Sequence, residues 1–505
     1  MISHLGRQGL GRIAEYNGYR IPTVLFLEED RVEGAPVERV YTDGVEILGK
    51  RIKFPDIDEI SSSQLKNTYL DYGDIIILPG LFTLLRKPEN LLQRIISARL
   101  DSGLKKVIFA PFIAEKMMIP VLHYLGIDVL DAGRVRMDGG DPGELWEMER
   151  ITLDYMEKGE LRVLVESIPH PLSKTLLRLS DSIYYTLYEK FFPVTGKSLN
   201  SSHFESLFRP DVRRWRERII QRYRKPGNEE YLLLIPCSAT KPYSRSPSHR
   251  YFHSLIEKSG KHVHEVIVTS PLGLVPRELE YTYPAAHYDI PVTGRWYGEE
   301  REFTIQMLED YIKLNRYRGI IAFLPDDLLF LKDFLDGVDA ISIFGNLRSE
   351  ENQRALLEAL SSIGYVRESL AERINSISRF QFGVEFPLDG KRITRRYDEI
   401  MIYESDEMYI HFHPMNGKIL LGKGGAEYIA SRNIYTVEID DFTPKGSIFV
   451  SGIRSSTEDI REGDEVAVVR NGEVIGTGTA TMCHEDMESQ EHGEAVRIRR
   501  IFSSS

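Results

Sequence analysis

Short runs of apolar residues, each ending in turn residues, recur along the amino-terminal part of the chain. The runs "IIILPG" (75–80), "KVIFAP" (106–111), "IDVLDAG" (127–133) and "LRVLVES" (161–167) are separated by stretches long enough for a helix. Buried strands alternating with helices are typical of a parallel sheet with crossover helices. A complete eight-stranded barrel takes about 250 residues. We therefore predict at most a degenerate TIM-like barrel over residues 1–200.

A second alternation of strands and helices follows. The runs "YLLLIP" (231–236), "HEVIVTSP" (264–271), "GIIAFLP" (319–325) and "DAISIFGN" (339–346) have the composition of buried strands. The segment "EENQRALLEALSSIG" (350–364) has the composition of a helix. This pattern predicts a second parallel sheet.

Polar or turn residues follow the ends of these four strands. They are Cys237 after the first strand, Thr269 and Ser270 after the second, Asp326 and Asp327 after the third, and Gly345 and Asn346 after the fourth. Ligands of open parallel sheets bind at the carboxyl ends of the strands. We therefore predict an α/β catalytic domain over residues 201–365.

From about residue 366 the pattern changes to short strands with glycine turns. The segment "MYIHFHPMNGKILLG" (408–422) turns at Asn416–Gly417, and "GDEVAVVRNGEVIGTGTATM" (463–482) turns at Asn471–Gly472. Asn-Gly between alternating strands is a strong hairpin signal. We predict a small α+β domain over residues 366–433 and a small closed β-barrel over residues 434–505.

The composition is that of an ordinary globular protein, with 42% hydrophobic and 28% charged residues in 505 positions. There is no run of about 18 apolar residues, so no membrane partner is predicted. The start of the chain lacks the apolar core of a secretory signal. Cys237 and Cys483 lie too far apart for a disulfide framework or a cysteine-rich zinc site. We predict a reducing, cytoplasmic location.

A net charge of −12 argues against a wholly basic surface but leaves room for one basic face. Residues 211–226, "DVRRWRERIIQRYRKP", concentrate seven basic side chains on what reads as one helix with Trp215 on its apolar side. Such a patch indicates phosphate contact. The alternative is a merely solvated helix face.

The loop "PCSATKPYSRSPSHR" (236–250) places a cysteine at the end of a buried strand. A thiol reacts as the thiolate, and we expect Lys241 and His249 to lower the pKa of Cys237. The alternative is an inert buried cysteine. Three further side chains are candidate hydrogen-bond donors to a substrate or to developing negative charge: Tyr243, Ser246 and His249.

A long loop rich in aromatic residues and proline follows the second strand, over residues 270–300. Such loops usually bind ligands. Its acidic and imidazole groups, Glu278, Glu280, His287 and Asp289, can bind a cation or move protons. Its rings, Tyr281, Tyr283, Tyr288 and Trp296, can stack on a base, or can form the loop's own small core. His411 and His413 lack an evident third ligand, so no metal or other cofactor is predicted.

The order Pro236-Cys237, Lys241-Pro242-Tyr243, Ser246 and His249 resembles the signature of the archaeosine synthase family. That family is the archaeal paralogue of tRNA-guanine transglycosylase. The resemblance continues through "SPLGLVPRELE" and "YPAAHYDIPVTG" and extends to the amino-terminal barrel and the β tail, which resembles a PUA RNA-binding domain. It therefore covers nearly the whole chain.

The resemblance implies a function. The family acts on tRNA that carries 7-cyano-7-deazaguanine at position 15, and it adds an amine to the nitrile to give an amidine-type product. The implied amine is free L-lysine, joined through its side chain, with glutamine or ammonia as alternatives. The implied partner is a radical-SAM lyase subunit that then releases archaeosine.

Site roles follow from combining this reaction with the residues above. The expected catalytic residues are Cys237, Lys241, His249 and Asp289. The expected substrate-binding residues are Tyr243, Ser246, Ser270, Glu278, His287 and Trp296. The expected tRNA-binding residues are Arg213, Arg214, Arg218, Gly452 and Arg454. Either His249 or Lys241 can protonate the nitrile nitrogen, and Asp289, His287 or Glu278 can take the proton of the incoming ammonium.

Two alternatives remain open from the sequence: a non-catalytic tRNA-binding protein and a base-exchanging transglycosylase. The transglycosylases hold zinc with three cysteines and a histidine, which two distant cysteines cannot supply. A "DSGSFQ"-type catalytic stretch is also missing. We therefore expect a barrel that has lost base exchange and serves as a docking platform. By analogy with the transglycosylases, a homodimer is also an expectation.

Overall fold

The computed structural model describes residues 2–25, 35–54, 69–196, 199–201, 203–289 and 296–502. The chain divides into two compact units. The first unit comprises residues 1–193, 438–462 and 480–498, and the second comprises 194–437, 463–479 and 499–505. Residues 290–295 of the predicted binding loop lie outside the described residues.

The amino-terminal part of the first unit is built from short strands and surrounding helices. The strands are β1 Ile2–Gln8, β2 Gly11–Tyr16, β3 Tyr19–Ile21, β4 Thr23–Leu25, β5 Arg39–Tyr41, β6 Gly44–Ile47, β7 Lys50–Lys53, β8 Leu70–Tyr72, β9 Ile75–Ile77, β10 Val107–Phe109 and β11 Val129–Asp131. The helices are α1 Pro88–Ser102, α2 Ile119–Tyr124, α3 Gly133–Met137, α4 Gly143–Glu157, α5 Leu161–Ser167, α6 Pro171–Ile183 and α7 Tyr185–Tyr188.

Five of these strands form one sheet in the order β4-β11-β10-β9-β8. Strands β9, β10, β11 and β4 are parallel, and β8 is an antiparallel edge. Every residue of β9, β10 and β11 is buried, as expected for parallel strands that are covered on both faces. The predicted strands at 75–80, 106–111 and 127–133 are thus confirmed.

The fourth predicted strand of this region is wrong, because residues 161–167 form helix α5. Helical spacing places Arg162 and Glu166 on one face, where they form a buried ion pair of 2.7 Å, and Arg162 also pairs with Asp181 at 2.6 Å. An apolar run of this length does not distinguish a strand from a buried helix. Within the described residues the sheet is open and five-stranded, and the predicted TIM-like barrel is not found.

The second unit contains a mixed sheet, a meander and seven helices among its described residues. Its strands are β12 Leu199–Asn200, β13 Tyr231–Pro236, β14 His264–Thr269, β15 Gly273–Pro276, β16 Tyr288–Asp289, β17 Gly319–Leu324, β18 Ile341–Phe344, β19 Arg392–Arg396, β20 Glu399–Glu404, β21 Glu407–His413, β22 Lys418–Leu421 and the first two residues of β23 Thr436–Ile439. Its helices are α8 Pro210–Gln221, α9 Pro247–Ser259, α10 Gly298–Asn315, α11 Lys332–Gly337, α12 Glu350–Ser362, α13 Leu370–Phe382 and α14 Lys423–Ser431.

The central sheet of this unit has the order β15-β14-β13-β17-β18. Strands β14, β13, β17 and β18 are parallel, and β15 is antiparallel. The chain leaves β13 toward β14 on one side and later adds β17 on the other side. The strand order therefore reverses between β13 and β17, which is where open α/β sheets bind ligands. All four predicted strands and the helix predicted over residues 350–364 are confirmed.

The predicted hairpin over residues 408–422 is also confirmed, as strands β21 and β22. It belongs to the antiparallel sheet β19-β20-β21-β22. Gly417 has a φ of +61°, and an added Cβ would lie 2.0 Å from the carbonyl oxygen of Tyr281. Only glycine fits, because the hairpin tip packs directly on the backbone of the long aromatic loop.

The tail forms the predicted short strands. They are β24 Ser447–Phe449, β25 Ile453–Ser456, β26 Glu465–Arg470, β27 Glu473–Ala480 and β28 Glu494–Ile501, with helix α15 at His484–Ser489. Strands β26 and β27 are antiparallel, and Asn471 and Gly472 both have positive φ, as their turn requires.

Candidate active site

Cys237 lies at the point where the order of the central sheet reverses. It directly follows β13, and its backbone N–H donates to the carbonyl of Val268 at 3.2 Å, which extends the pairing of β13 with β14 by one residue. The residue is partly exposed and packs against the core of the unit. The residue therefore lies at the carboxyl edge of the sheet and is not fully enclosed by the core.

The electrostatic environment of this thiol differs from our expectation. Burial raises the pKa of Cys237 above its ordinary value, and the charge of Asp327 acts in the same direction. A hydrogen bond with Thr269 and the charge of Lys241 lower the pKa but are outweighed. Lys241 thus acts in the expected direction, but the net shift of the pKa is upward, because removing the sulfur from water disfavours the thiolate. The thiol is protonated at neutral pH and must lose its proton when it reacts.

Lys241 and Tyr288 join the cysteine loop to the aromatic loop. The Nζ atom of Lys241 lies 4.0 Å from the centroid of the Tyr288 ring. The Tyr288 hydroxyl is 2.5 Å from both the Tyr243 hydroxyl and the Thr269 hydroxyl. Burial lowers the pKa of the Lys241 ammonium, against the charges of Cys237 and Asp289. The ammonium is therefore a stronger acid than an exposed lysine.

His249 lies in the first turn of α9 and is 1% exposed. The hydroxyl of Ser246 caps this helix by accepting from the His249 backbone N–H at 3.1 Å. The Nδ1 atom of His249 lies 2.9 Å from a guanidinium nitrogen of Arg277. Burial and this guanidinium lower the pKa of His249 to about 3, so the ring is neutral and Nδ1 is the acceptor.

Arg277 is a member of the site that the sequence did not indicate. It also pairs with Glu265 at 2.5 Å and with Glu280 at 3.1 Å. Glu280 stands three residues after Arg277, whereas Glu265 and His249 come from other elements, and no local spacing relates these two to Arg277. Arg277 thereby fixes the side of α9 that carries His249.

The remaining predicted substrate residues do not all converge on Cys237. Asp289 is exposed on β16 and acts on the charge of Lys241. Glu278 is buried, accepts from the Tyr223 hydroxyl at 2.5 Å and pairs with His264 at 3.2 Å. Ser270 donates to Glu300 at 2.5 Å. The ring of Trp296 is 5.2 Å from that of Phe330, and the ring of His287 is 6.1 Å from that of Tyr283.

Several basic residues of helix α8 and the segment after it serve internal contacts. Arg214 is 6% exposed. Arg216 donates to the carbonyls of Pro271 and Leu207, at 3.0 and 2.7 Å. Arg222 donates to the Tyr435 hydroxyl at 3.0 Å. Arg213 pairs at the surface with Glu217 at 3.0 Å. The helix is therefore not a simple exposed cationic face.

In the tail, an added Cβ on Gly452 would lie 2.8 Å from the Phe442 ring. Arg454 has 49% of its side chain exposed and lies 3.4 Å from Glu438 and 3.6 Å from Asp440. In the described part of the chain, no cluster of His, Cys, Asp and Glu has an arrangement that would hold a metal ion. The helices of that part are all too short or too polar to cross a membrane.

Two family models match the chain. A domain of unknown function, DUF5591, matches residues 212–363, which include Cys237, and a PUA domain matches residues 436–502. These ranges fall inside the predicted segments 201–365 and 434–505, whose boundaries stay predictions.

Whole-length relatives decide the family. The archaeosine synthase subunit alpha of Thermoplasma acidophilum is 34% identical over 478 residues, which cover 90% of this chain and 93% of the relative. That of Methanosarcina acetivorans is 31% identical over 85% of this chain and 80% of the relative. The chain belongs to the archaeosine synthase family. The resemblance seen in the cysteine loop and the predicted PUA domain are thus confirmed.

The chain also shares part of its sequence with a transglycosylase. The tRNA-guanine(15) transglycosylase of Methanothermobacter thermautotrophicus is 30% identical over 68% of this chain and 50% of the relative. In the present chain, five motif residues lie together on the loop after β13 and at the start of helix α9. They are Cys237, Lys241, Tyr243, Ser246 and His249.

Proposed function

We propose that this member of the archaeosine synthase family modifies tRNA by adding an amine to the nitrile of 7-cyano-7-deazaguanine at position 15. The observation that carries the proposal is the partly exposed Cys237 at the reversal point of the central sheet, with Lys241 over Tyr288 beside it. A nitrile carbon is a sluggish electrophile, and a positioned sulfur nucleophile divides the addition into two easier steps.

In the first step the sulfur of Cys237 bonds to the nitrile carbon and the nitrile nitrogen gains a proton, which gives a thioimidate. The thiol supplies one proton overall, so the addition is balanced. Lys241 gives its proton to the nitrile nitrogen, because burial makes its ammonium more acidic, and the thiol proton replaces it on the Lys241 amine. His249 is neutral at working pH and serves to position the loop.

In the second step the amine bonds to the same carbon, the carbon–sulfur bond breaks and the thiol is regenerated. The product is an amidine. The incoming ammonium must lose one proton, and Asp289 is the base we assign because it is exposed next to Lys241. The amine donor we propose is free L-lysine, and a radical-SAM lyase subunit then acts on the product. Both follow from the family resemblance, and the expected homodimer follows from the analogy with the transglycosylases.

The PUA domain and the transglycosylase relatives support tRNA as the substrate. In the proposal, the tail contacts tRNA through Gly452 and Arg454, and helix α8 contributes Arg213, Arg214 and Arg218. Five residues shape the nucleobase pocket, either with their side chains or by positioning the backbone. They are Tyr243, Ser246, Ser270, His287 and Trp296. Glu278 supports this pocket from the buried network with Tyr223 and His264.

The test is an incubation with tRNA that carries the cyano base and with isotope-labelled lysine, followed by nucleoside mass analysis. A lysine adduct supports the proposal. Release of the free base would indicate base exchange, and an unchanged nucleoside would indicate binding only.

Intact-mass analysis without lysine tests the covalent step. We expect a tRNA-linked adduct with wild type and with Cys483→Ala, because Cys483 is buried away from solvent. We expect no adduct with Cys237→Ser. An active Cys237→Ser enzyme without adduct would instead favour direct attack by the amine.

A further inference from the structure

A small cavity in the second unit is lined by cations and aromatic rings. It has an internal volume of about 40 Å³. Helix α8 contributes Arg214, Trp215 and Arg218, the loop at Tyr283 and helix α13 contribute further walls, and the tip of the β21–β22 hairpin contributes Lys418. The close approach of Gly417 to Tyr281 holds this tip in place.

Arg218 is the cation that lacks an acceptor in this cavity. Among the described residues its guanidinium makes no hydrogen bond or ion pair, and it lies 6.0 Å from the centroid of the Phe380 ring. Burial lowers its pKa, and the charges of Arg222 and Arg214 act in the same direction. A guanidinium carries five N–H donors, and the partly buried guanidinium of Arg218 leaves these donors available to a ligand that enters the cavity.

The carboxylates that line the cavity do not neutralise its positive charge. Asp211 accepts from the Tyr283 hydroxyl at 2.8 Å and pairs with Arg209 at 3.2 Å. Asp464 also lines the cavity and favours the charged form of Arg218. The lining cations are Arg214, Arg218 and Lys418, and the lining carboxylates are Asp211 and Asp464. Three cations face two carboxylates, so one positive charge remains.

We propose that this cavity binds one tetrahedral oxyanion of the size of a phosphate group, held by the guanidinium of Arg218. A water molecule needs roughly 10–15 Å³ of such volume, so the cavity has room for a few water molecules or one oxyanion. The planar fork of an arginine matches two oxygens of a phosphate. The ring of Trp215 in the wall gives the site an optical reporter.

The oxyanion has two conceivable sources, a phosphodiester of bound RNA and a free phosphate ion. The RNA source rests on the proposed function, since it makes Arg218 a contact that positions the substrate. The phosphate measurement requires no tRNA, so its outcome is independent of whether the proposed reaction occurs.

The first experiment titrates inorganic phosphate into the full-length protein at constant ionic strength, with sodium chloride as the replaced salt. Melting temperature and tryptophan fluorescence report binding. We expect saturable stabilisation of wild type. We expect Arg218→Gln to raise the Kd for phosphate at least about tenfold, because a charge-assisted hydrogen-bonded pair is lost. Arg318→Gln removes an equal charge from a side chain that is 72% exposed and should leave this Kd unchanged.

Arg218→Lys provides a second variant that keeps the charge and removes the fork, and we expect weakened phosphate binding from it too. The proposal is overturned if phosphate stabilises wild type no more than chloride does. It is also overturned if both Arg218 variants keep the wild-type Kd.

The second experiment distinguishes the sources by measuring tRNA affinity against salt concentration. If the oxyanion belongs to RNA, the slope of log K against log salt should fall by about one in Arg218→Gln. Phosphate should then also compete with tRNA. Lost phosphate binding with an unchanged slope supports the site with a free ion as its occupant.

Discussion

The ammonium of Lys241 lies over the ring of Tyr288, 4.0 Å from its centroid. This contact joins the loop that carries Cys237 to the aromatic loop, two segments that are about fifty residues apart in the chain. The hydroxyl of Tyr288 extends the connection to Tyr243 and Thr269. The proposed nucleophile and its proton donor are thus held by one small network of side chains.

Tyr288→Phe tests the hydroxyl part of this network. The ring and its contact with Lys241 remain, but the buried hydroxyls of Tyr243 and Thr269 lose a partner. We expect the free energy of unfolding to fall by roughly 1–3 kcal/mol, measured by urea denaturation. Tyr365→Phe is the matched control, since Tyr365 is 78% exposed, and it should change stability by less than about 0.5 kcal/mol. Equal effects of the two variants would contradict the role of the network.

The raised pKa of Cys237 predicts the pH dependence of its reactivity. The thiolate is the reactive form, so the rate of alkylation by iodoacetamide should rise about tenfold per pH unit below the pKa. The rise should continue beyond about pH 8.5, where an ordinary cysteine levels off. Lys241→Met removes a charge that lowers this pKa and should slow the reaction at a given pH.

Peptide mapping assigns the alkylated residue in that experiment. Cys483 should stay unmodified in the native protein, because it is 3% exposed and its pKa is raised well above its ordinary value by burial. A rate that reaches its plateau near neutral pH would show that Cys237 has a lowered pKa, and the electrostatic account would be wrong.

The lowered pKa of His249 predicts a loss of stability in acid. Its folded-state pKa of about 3 lies below the unfolded value of about 6.5. The unfolded chain therefore binds a proton between these values while the native state does not. Stability should fall as pH decreases through this window, by up to about 1.4 kcal/mol per unit from this residue.

Urea denaturation at a series of pH values checks this. His249→Gln keeps an acceptor for Arg277 but cannot titrate. The dependence of its unfolding free energy on pH between about 6 and 4 should be less steep than that of wild type, by up to one proton. Parallel curves would mean that His249 is protonated in the native state.

Gly417→Ala tests the packing of the hairpin tip on the aromatic loop. The added Cβ would meet the carbonyl of Tyr281 at 2.0 Å, whereas an added Cβ on Gly472 meets nothing within 4 Å. Both glycines have positive φ. We expect Gly472→Ala to lower the free energy of unfolding by about 1 kcal/mol from backbone strain, and Gly417→Ala by about 3 kcal/mol or more. Similar losses would show that the tip can move away.

Arg454→Gln tests the proposed role of the PUA domain. If the exposed guanidinium contacts a phosphate of tRNA, the full-length variant should bind tRNA more weakly and the salt slope should fall by about one. Arg318→Gln serves again as the charge-matched control. An affinity and slope equal to those of wild type would remove Arg454 from the proposed interface.

The local sequence pattern was sufficient to predict much of the fold and the position of Cys237 at the end of a strand. The four strands of the central sheet are apolar runs bounded by turn residues, and the hairpins turn at Asn-Gly as their geometry requires. These features depend on a few neighbouring residues, so the sequence contains the necessary information.

Contacts between residues that are close in space but distant in sequence determined the remaining features of the fold and the site. Residues 161–167 form a helix because Arg162 finds Glu166 and Asp181 in the same buried place. Arg277 reaches His249 from another element, and several arginines of the basic helical segment turn inward to carbonyls and a hydroxyl. The direction of the Cys237 pKa shift follows from the desolvation of the sulfur by its neighbours. Desolvation and pairing sum over all neighbours in space, and residues far apart in the chain supply most of them.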